Sequence, residues 1–432
     1  MKKKLILLFI IILILLTVGV AAIFYFDAQS QTETKNSDDI GETYRRDAQE
    51  FSESLLQAFN AAVEKAELSD NSLVAVNTYI GKEEKPEDVH FNDENKLYFM
   101  ASSVKPILVT AFLKVTDIKD LDHKIPFKFV NDNEIKSTIA LEISSYLTYG
   151  TQIDQFLIDH IASQFEEGKP YTVNEVLNIF LNDEKFVNLE FKLSDVIKSI
   201  LGPSSNWGVT LLRHYLGIAN NTDESGASDI LENYINEYLK ANNRSGEIHF
   251  SLSTRSVNDK LSNTAIFGEF EFLIEEFFRN NFEIPEHFFE LMKSAMQNIA
   301  SDPIKYNRRH EIKSIAKDVF DSSAYIIEKS GYIGLNRDAV ENLAKEYGWD
   351  EIPKDDDQLA VLFNFSTFAR IYLNNGWFVQ MNYTITSPIV ISTEPLYELN
   401  PDYVNLKNKV FGALEDELRP IFVKYKEFVK TI

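Results

Sequence analysis

Phe99-Met100-Ala101-Ser102-Ser103-Val104-Lys105-Pro106-Ile107-Leu108 is the stretch from which the rest of the chain can be read. An extended segment, Leu97 to Met100, runs directly into a helix whose apolar residues Ile107, Leu108, Ala111, Phe112 and Val115 are spaced for burial. Pro106 suits the first turn of that helix, where a missing N–H costs nothing. If the helix begins near Ser102, then Ser102 and Lys105 share one face. A lysine at the edge of a buried helix is partly desolvated. Desolvation, helped by a nearby cation such as Lys329, lowers its pKa and lets it take a serine proton. The helix start also offers oriented N–H groups to a developing oxyanion.

Two further strings follow in order. Ser204-Ser205-Asn206 comes after an amphipathic helix, Leu193 to Leu201, that ends at Gly202-Pro203, and another helix opens at Trp207. The string therefore sits on a short interhelical turn, which can point a hydroxyl and an amide into a cleft. Lys329-Ser330-Gly331 ends an apolar strand that starts at Ala324-Tyr325-Ile326-Ile327. A strand can present a cation and a hydroxyl along its edge, and Gly331 leaves room for a substrate to lie against backbone. The backbone N–H of Tyr332 would be a second oxyanion donor. Each string alone is cheap. Ser314-Ile315-Ala316-Lys317, Ser69-Asp70-Asn71 and Ser256-Val257-Asn258 repeat the same spacings in unsuitable contexts and receive no role.

Strand-like patterns lie at both ends of the chain. Leu73 to Ile80 is one, followed by a turn at Gly81 to Asp88. Leu359 to Phe365, Ala369 to Tyr372 and Trp377 to Thr386 are others, with Asn374-Asn375-Gly376 as a hairpin turn. The middle is helical in pattern, for example Ile153 to Phe165, Val173 to Leu181, Ile230 to Leu239 and Ala265 to Phe278. A helix is expected from Ala48, and a last one carries the stripe Val410, Phe411, Leu414, Leu418, Ile421, Phe422, Tyr425 and Val429, with Pro420 expected to kink it. Runs segregated in this way argue for α/β architecture of the α+β type. The expectation is an antiparallel sheet from N- and C-terminal strands, flanked by helices, with an inserted helical lobe and the active site between them. The stripe Phe267, Phe270, Phe272, Phe277 and Phe278 is expected to be core.

The N-terminus sets the expected compartment. Lys2, Lys3 and Lys4 precede an uncharged apolar run from Leu5 to Phe26. That run is long enough for a spanning helix, which needs about 20 residues. A cleaved signal peptide is the rival, but its apolar core is usually about 7–15 residues and no small-x-small cleavage site follows. Residues 1–26 are therefore expected to be cytoplasmic lysines plus an uncleaved signal anchor, with everything beyond it extracytoplasmic. Residues 27–45 are a polar linker, and 46–432 the folded domain. The chain has no cysteine, so disulfides and thiolate chemistry are excluded. Its formal net charge of −23 argues against nucleic-acid binding and is read as solubility.

Three strings in the order S-x-x-K, S-x-N and K-[ST]-G resemble the penicillin-recognising active-site serine hydrolases, and among them the class A β-lactamase branch. Phe99 to Lys105, Leu193 to Gly217 and Ile326 to Gly334 carry the resemblance by letter. The order of elements extends it over residues 46–432. It implies a β-lactamase/transpeptidase-like fold and a β-lactam or peptidoglycan-type D-alanyl-D-alanine peptide as substrate. It implies Ser102 as nucleophile, Lys105 as its base and Ser204 as the proton relay to the leaving nitrogen. Asn206 would bind the substrate's amide, and Lys329 and Ser330 its carboxylate; Ser102 and Tyr332 N–H groups, with Gly331 between strand and substrate, would form the oxyanion hole. No cofactor or metal is expected, and the seven histidines show no H-E-x-x-H. Two departures stand out. The stretch from Ser102 to Ser204 is long for the family, so a helical insertion is expected near 123–192. The family's deacylating glutamate, in E-x-x-x-N, has no counterpart in His249 to Asn263; Glu232 with Asn236 has the spacing but lies too early, in an amphipathic helix. A fold that kept its shape and lost turnover, serving as an envelope binding or scaffolding module, is the alternative. Arg337 and Arg370 are weak candidates for the carboxylate site and more at home on the surface.

Overall fold

The computed structural model describes residues 49–68, 72–81, 90–127, 133–150, 153, 155–166, 168–244, 246, 248–250, 264–301, 311–335, 358–373, 376–392 and 401–431. The expected anchor and polar linker lie outside them. Among the described residues no helix is long and apolar enough to cross a membrane.

The architecture follows the expected α+β plan. Helix α1 (49–65) precedes strands β1 (Leu73–Gly81), β2 (His90–Phe91) and β3 (Leu97–Phe99). A 3₁₀ turn, Ala101–Val104, leads into α2 (Lys105–Thr116) and β4 (Lys124–Pro126). Helices α3 (Asn133–Tyr149), α4 (Gln155–His160), α5 (Val173–Asn182) and α6 (Glu184–Val187) follow, then β5 (Glu190–Lys192). Next come α7 (Leu193–Leu201), α8 (Asn206–Ala219), α9 (Glu224–Ala241), β6 (Ile248–His249), β7 (Thr264–Ile266), α10 (Phe267–Phe278) and α11 (Glu286–Ser301). Helix Glu311–Phe320 precedes β8 (Ala324–Leu335), β9 (Gln358–Tyr372) and β10 (Phe378–Ser392), and helix Pro401–Thr431 closes the chain.

The main sheet is antiparallel, in the order β2-β1-β10-β9-β8. Alternation along each strand gives it two different faces. On one face Val74, Val76, Ile80, Phe365, Ala369, Val379, Met381 and Ile385 pack under the terminal helices. Phe51 of α1 meets Phe422 and Tyr425 of the last helix edge to face, at 5.4 and 5.2 Å. The other face turns Leu73, Ala75, Ile327 and Phe368 toward the helical lobe.

The stretch between Ser102 and Ser204 has its own construction. β4 pairs antiparallel with β5, Ile125 opposite Phe191, and so closes the base of the excursion that holds α3 to α6. Phe127, Phe156, Phe180 and Phe186 fill its interior with Phe191. Thr172 and Glu175 form a capping box that starts α5.

Several boundaries differ from expectation. Helix α2 begins at Lys105, not Ser102; the residues before it wind as a 3₁₀ turn, with Pro106 in the first turn of the α-helix. Ile153 to Phe165 is a short helix followed by a separate 3₁₀ turn, not one helix. Leu359 to Tyr372 is one strand, held straight by partners on both sides. Lys329-Ser330-Gly331 lies in the middle of β8 rather than at its end, because Tyr332 to Leu335 continue to pair with Phe363 to Ala360. The last helix runs through Pro420. Asn374 and Asn375 of the expected hairpin turn lie outside the described residues; Gly376 has φ +80°, the left-handed conformation for which glycine suits.

Helix α8 meets α7 closely at Gly208. A Cβ there would lie 2.8 Å from Ile200 Cγ1. Gly208→Ala is therefore expected to cost about 1–3 kcal/mol by overpacking, despite alanine's better helix propensity. The urea midpoint reads this; an unchanged or raised midpoint would mean that the α7–α8 contact yields.

Candidate active site

The nucleophile candidate comes from the join between β3 and α2. The 3₁₀ turn opens on the carbonyl of Met100, which accepts the Ser103 N–H at 2.9 Å and the Ser103 hydroxyl, and closes on that of Ser102, which accepts the Lys105 N–H. Met100, Ser103 and Val104 are buried, whereas Ser102 is only half-buried, so the turn anchors itself with its other residues and leaves Ser102 toward the surface. The turn packs against β8 and β9.

Lys105 begins the helix proper and is 5% exposed. Its Nζ donates to Asn206 Oδ1 at 2.8 Å, to Ser204 Oγ at 3.1 Å and to the Ser204 carbonyl oxygen. Lys329, in mid β8 and 2% exposed, reaches the same hydroxyl from the other side: its Nζ donates to Ser204 Oγ at 2.8 Å. Ser204 thus stands between two lysines. It does so through an unusual backbone, φ +67°, in the left-handed region. A non-glycine residue there costs about 1 kcal/mol or more and marks a position fixed by its surroundings. Those surroundings are visible: α7 ends at Leu201, Ser205 caps α8 through the Gly208 N–H, and the Ser205 N–H bonds back to the Ser199 carbonyl at 3.0 Å.

The electrostatics follow from this packing. Burial pushes Lys105 well below its ordinary pKa, and the positive charge of Lys329 pushes in the same direction. The three acceptors around its Nζ are all uncharged, and among the described residues no carboxylate pairs with it. Two cations sharing one hydroxyl cannot both hold full charge cheaply in a desolvated cleft, and at Lys105 burial and the neighbouring charge together favour the neutral amine.

Four of the sequence-derived residues therefore converge: Lys105, Ser204, Asn206 and Lys329 come from α2, the α7–α8 turn and β8. Ser102 stands one turn ahead of Lys105 on the same segment. The backbones of Ser330, Gly331 and Tyr332 pair with Phe365, Asn364 and Phe363 of β9. Arg370 does not join them. Its guanidinium donates to Gln380 Oε1 at 2.6 Å and lies over the rings of Phe368 and Phe378, four residues along β9 from the partner of Lys329. Arg337 lies outside the described residues.

Glu232 has other work. Its Oε1 accepts the Phe250 N–H at 2.5 Å and its Oε2 is 3.7 Å from His249 Nδ1. One turn on, Asn236 bonds both the N–H and the carbonyl of Ile248. The pair clamps the entry to the segment 251–263, whose ends β6 and β7 hold together. That segment, where the family's glutamate is expected, lies outside the described residues. The decoy Ser314 is a structural tie, bonded to Glu415 and Arg419 of the last helix. The other two decoy strings are not among the described residues.

The sequence reading missed a polar layer beneath the site. Phe267, Phe270 and Phe277 of α10 are buried core as expected, but Glu271 and Glu275 are buried on the same helix, against Asn77, Asn382 and Thr384 of the sheet. Burial pushes Glu271 up to about 8. The only available signal was the i, i+4 spacing of two acids inside a phenylalanine-rich helix. Among the described residues no group of three or more His, Asp or Glu side chains gathers to hold a metal ion.

No protein-family model matches the chain, and no curated protein matches it. Solved structures do resemble it. A class A β-lactamase from Bacteroides cellulosilyticus is 13% identical, with 85% of this chain and 99% of that chain covered and a TM-score of 0.43. A β-lactamase from Burkholderia vietnamiensis is 8% identical over 86% and 96% of the two chains, TM-score 0.45. A PBP-A variant in an acyl-enzyme complex with penicillin G is 10% identical over 86% and 97%, TM-score 0.42.

Proposed function

We propose that this chain is an acyl-serine hydrolase acting on β-lactams or D-alanyl-D-alanine-type peptides, tethered by residues 5–26 and working outside the membrane. The observation that carries the reading is the meeting of Lys105, Ser204, Asn206 and Lys329, from three remote parts of the chain, with the half-buried Ser102 on the turn that leads directly into Lys105. On this reading neutral Lys105 Nζ takes the Ser102 proton as Ser102 Oγ bonds to the substrate carbonyl carbon. The carbonyl electron pair moves onto oxygen, which the N–H groups of Ser102 and Tyr332 receive. The proton passes from Lys105 through Ser204 to the leaving nitrogen as the C–N bond breaks, leaving acyl-Ser102. Lys329 and Ser330 bind the substrate carboxylate, and Asn206 its amide.

Fast deacylation needs a positioned base for water, and His249 to Asn263 contains no glutamate. The expected behaviour is stable acylation. The purified ectodomain should take up a fluorescent penicillin covalently, Ser102→Ala should abolish uptake, and chromogenic cephalosporin should be hydrolysed slowly. Rapid multiple turnover would sink the missing-base argument and make Glu232 the first residue to mutate. The same missing glutamate favours one other reading, a binding or scaffolding module without turnover; a folded protein that takes up no penicillin would favour that reading instead.

A further inference from the structure

We infer that Asn364 is the crossbrace of the oxyanion hole, a positioning residue that fixes Ser102 against the strand carrying Tyr332. This deepens the acyl-serine reading and rests on it for its catalytic meaning.

Asn364 lies in β9 and is fully buried. Across the sheet its register partner is Gly331 in β8, the residue immediately before Tyr332. In the opposite direction its Nδ2 donates to the Met100 carbonyl oxygen at 3.0 Å, two residues before Ser102. That carbonyl is also the acceptor on which the 3₁₀ turn opens, taking the N–H and the hydroxyl of Ser103. One amide therefore joins the turn that holds Ser102 to the strand segment that holds Gly331 and Tyr332. Chain connectivity does not supply this link, since Met100 and Asn364 are remote in sequence. A polar side chain at a fully buried position is costly unless it is bonded, and the Nδ2 bond to Met100 is what Asn364 gains there. An oxyanion hole made of two backbone N–H groups from different elements needs their spacing held to a fraction of an ångström, and a misplacement of about 1 Å can cost about 100-fold in rate.

Asn364→Leu removes the donor while keeping the volume. The expected result is a penicillin acylation rate constant about 10–100-fold lower with noncovalent affinity changed less than about threefold. Amide hydrogen exchange in the peptide 100–105 should also be about tenfold faster, because opening of this turn no longer breaks the Asn364 bond. Thr384→Val, which takes a buried hydroxyl from the same sheet face and whose polar neighbours are Ser366 and Glu271, should change neither readout. A variant that acylates at the wild-type rate overturns the inference. So does slower acylation by both variants in step with their loss of stability, which would mark Asn364 as merely structural. If the wild-type protein itself takes up no penicillin, the acyl-serine reading fails separately. The brace is then judged by exchange alone: faster exchange confined to 100–105 supports it, and unchanged exchange overturns it.

Discussion

Replacing Lys105 by methionine is expected to lower the rate of penicillin acylation about 100–10,000-fold while leaving the fold intact, the range a positioned general base contributes. The side chain is buried, and a methionine of similar length keeps the packing of its stem while removing the amine. Lys105→Arg should fail equally, because a guanidinium stays protonated and cannot accept the serine proton. The direction of the pH dependence tests the cause. In the wild-type protein burial and Lys329 both depress the Lys105 pKa. The neutral amine is therefore available at a pH well below the ordinary lysine value, and acylation should rise through a limb set by that depressed pKa. Lys329→Met removes one of the two causes, so the limb should move to higher pH, toward the ordinary value. The position of the limb is the readout, since on the proposed function the amplitude would also reflect lost binding of a substrate carboxylate. A limb that stays in place, or moves to lower pH, would mean that Lys329 does not act on Lys105.

Local signals made the site legible. Ser102 and Lys105 were readable because Pro106 and the apolar spacing after it mark a helix start. Ser204 was readable because Gly202-Pro203 ends one helix and Trp207 opens the next. What the sequence could not say was that Ser204 would adopt φ +67° or that two lysines would share its hydroxyl, because both are consequences of how α2, α7, α8 and β8 dock. The sheet was legible for a similar reason. Strand-like segments at both ends with helices between leave few ways to pair except with each other, and β1 indeed lies against β10. Boundaries suffered where tertiary pairing overrides local pattern: glycine and polar residues in 329–335 suggested a strand end, yet β9 keeps them extended. Asn364 and Glu271 were invisible for the opposite reason. Both sit where polar and aromatic residues are interleaved, and only the partners supplied by the fold distinguish a polar residue facing the interior from one facing water.

Glu271 carries the second large expectation, on stability against pH. It is 3% exposed, its Oε1 has no hydrogen-bond partner among the described residues, and the neighbouring Glu275 adds to the effect of burial, so the protonated form is favoured in the fold up to about pH 8. Thr384 supplies one opposing bond, insufficient to reverse the direction. In the unfolded chain a glutamate titrates near about 4.3. Below that pH both states hold the proton and Glu271 makes no difference. Between it and about 8 the folded state binds more protons than the unfolded one, so stability must fall as pH rises. Above about 8 both states are ionised and the slope ends. At about 1.36 kcal/mol per pKa unit, the loss across this window is roughly 5 kcal/mol, a large fraction of a typical domain's stability. Glu271→Gln keeps the shape and cannot ionise. It should therefore be nearly neutral at pH 4, become progressively more stable than wild type up to about pH 8, and then hold a constant advantage. Urea midpoints of the two proteins across pH 4–9 measure the difference directly, with the other acids cancelling because both proteins carry them. Parallel curves would show that Glu271 is ionised in the fold, and with it that the polar layer beneath the sheet is wet.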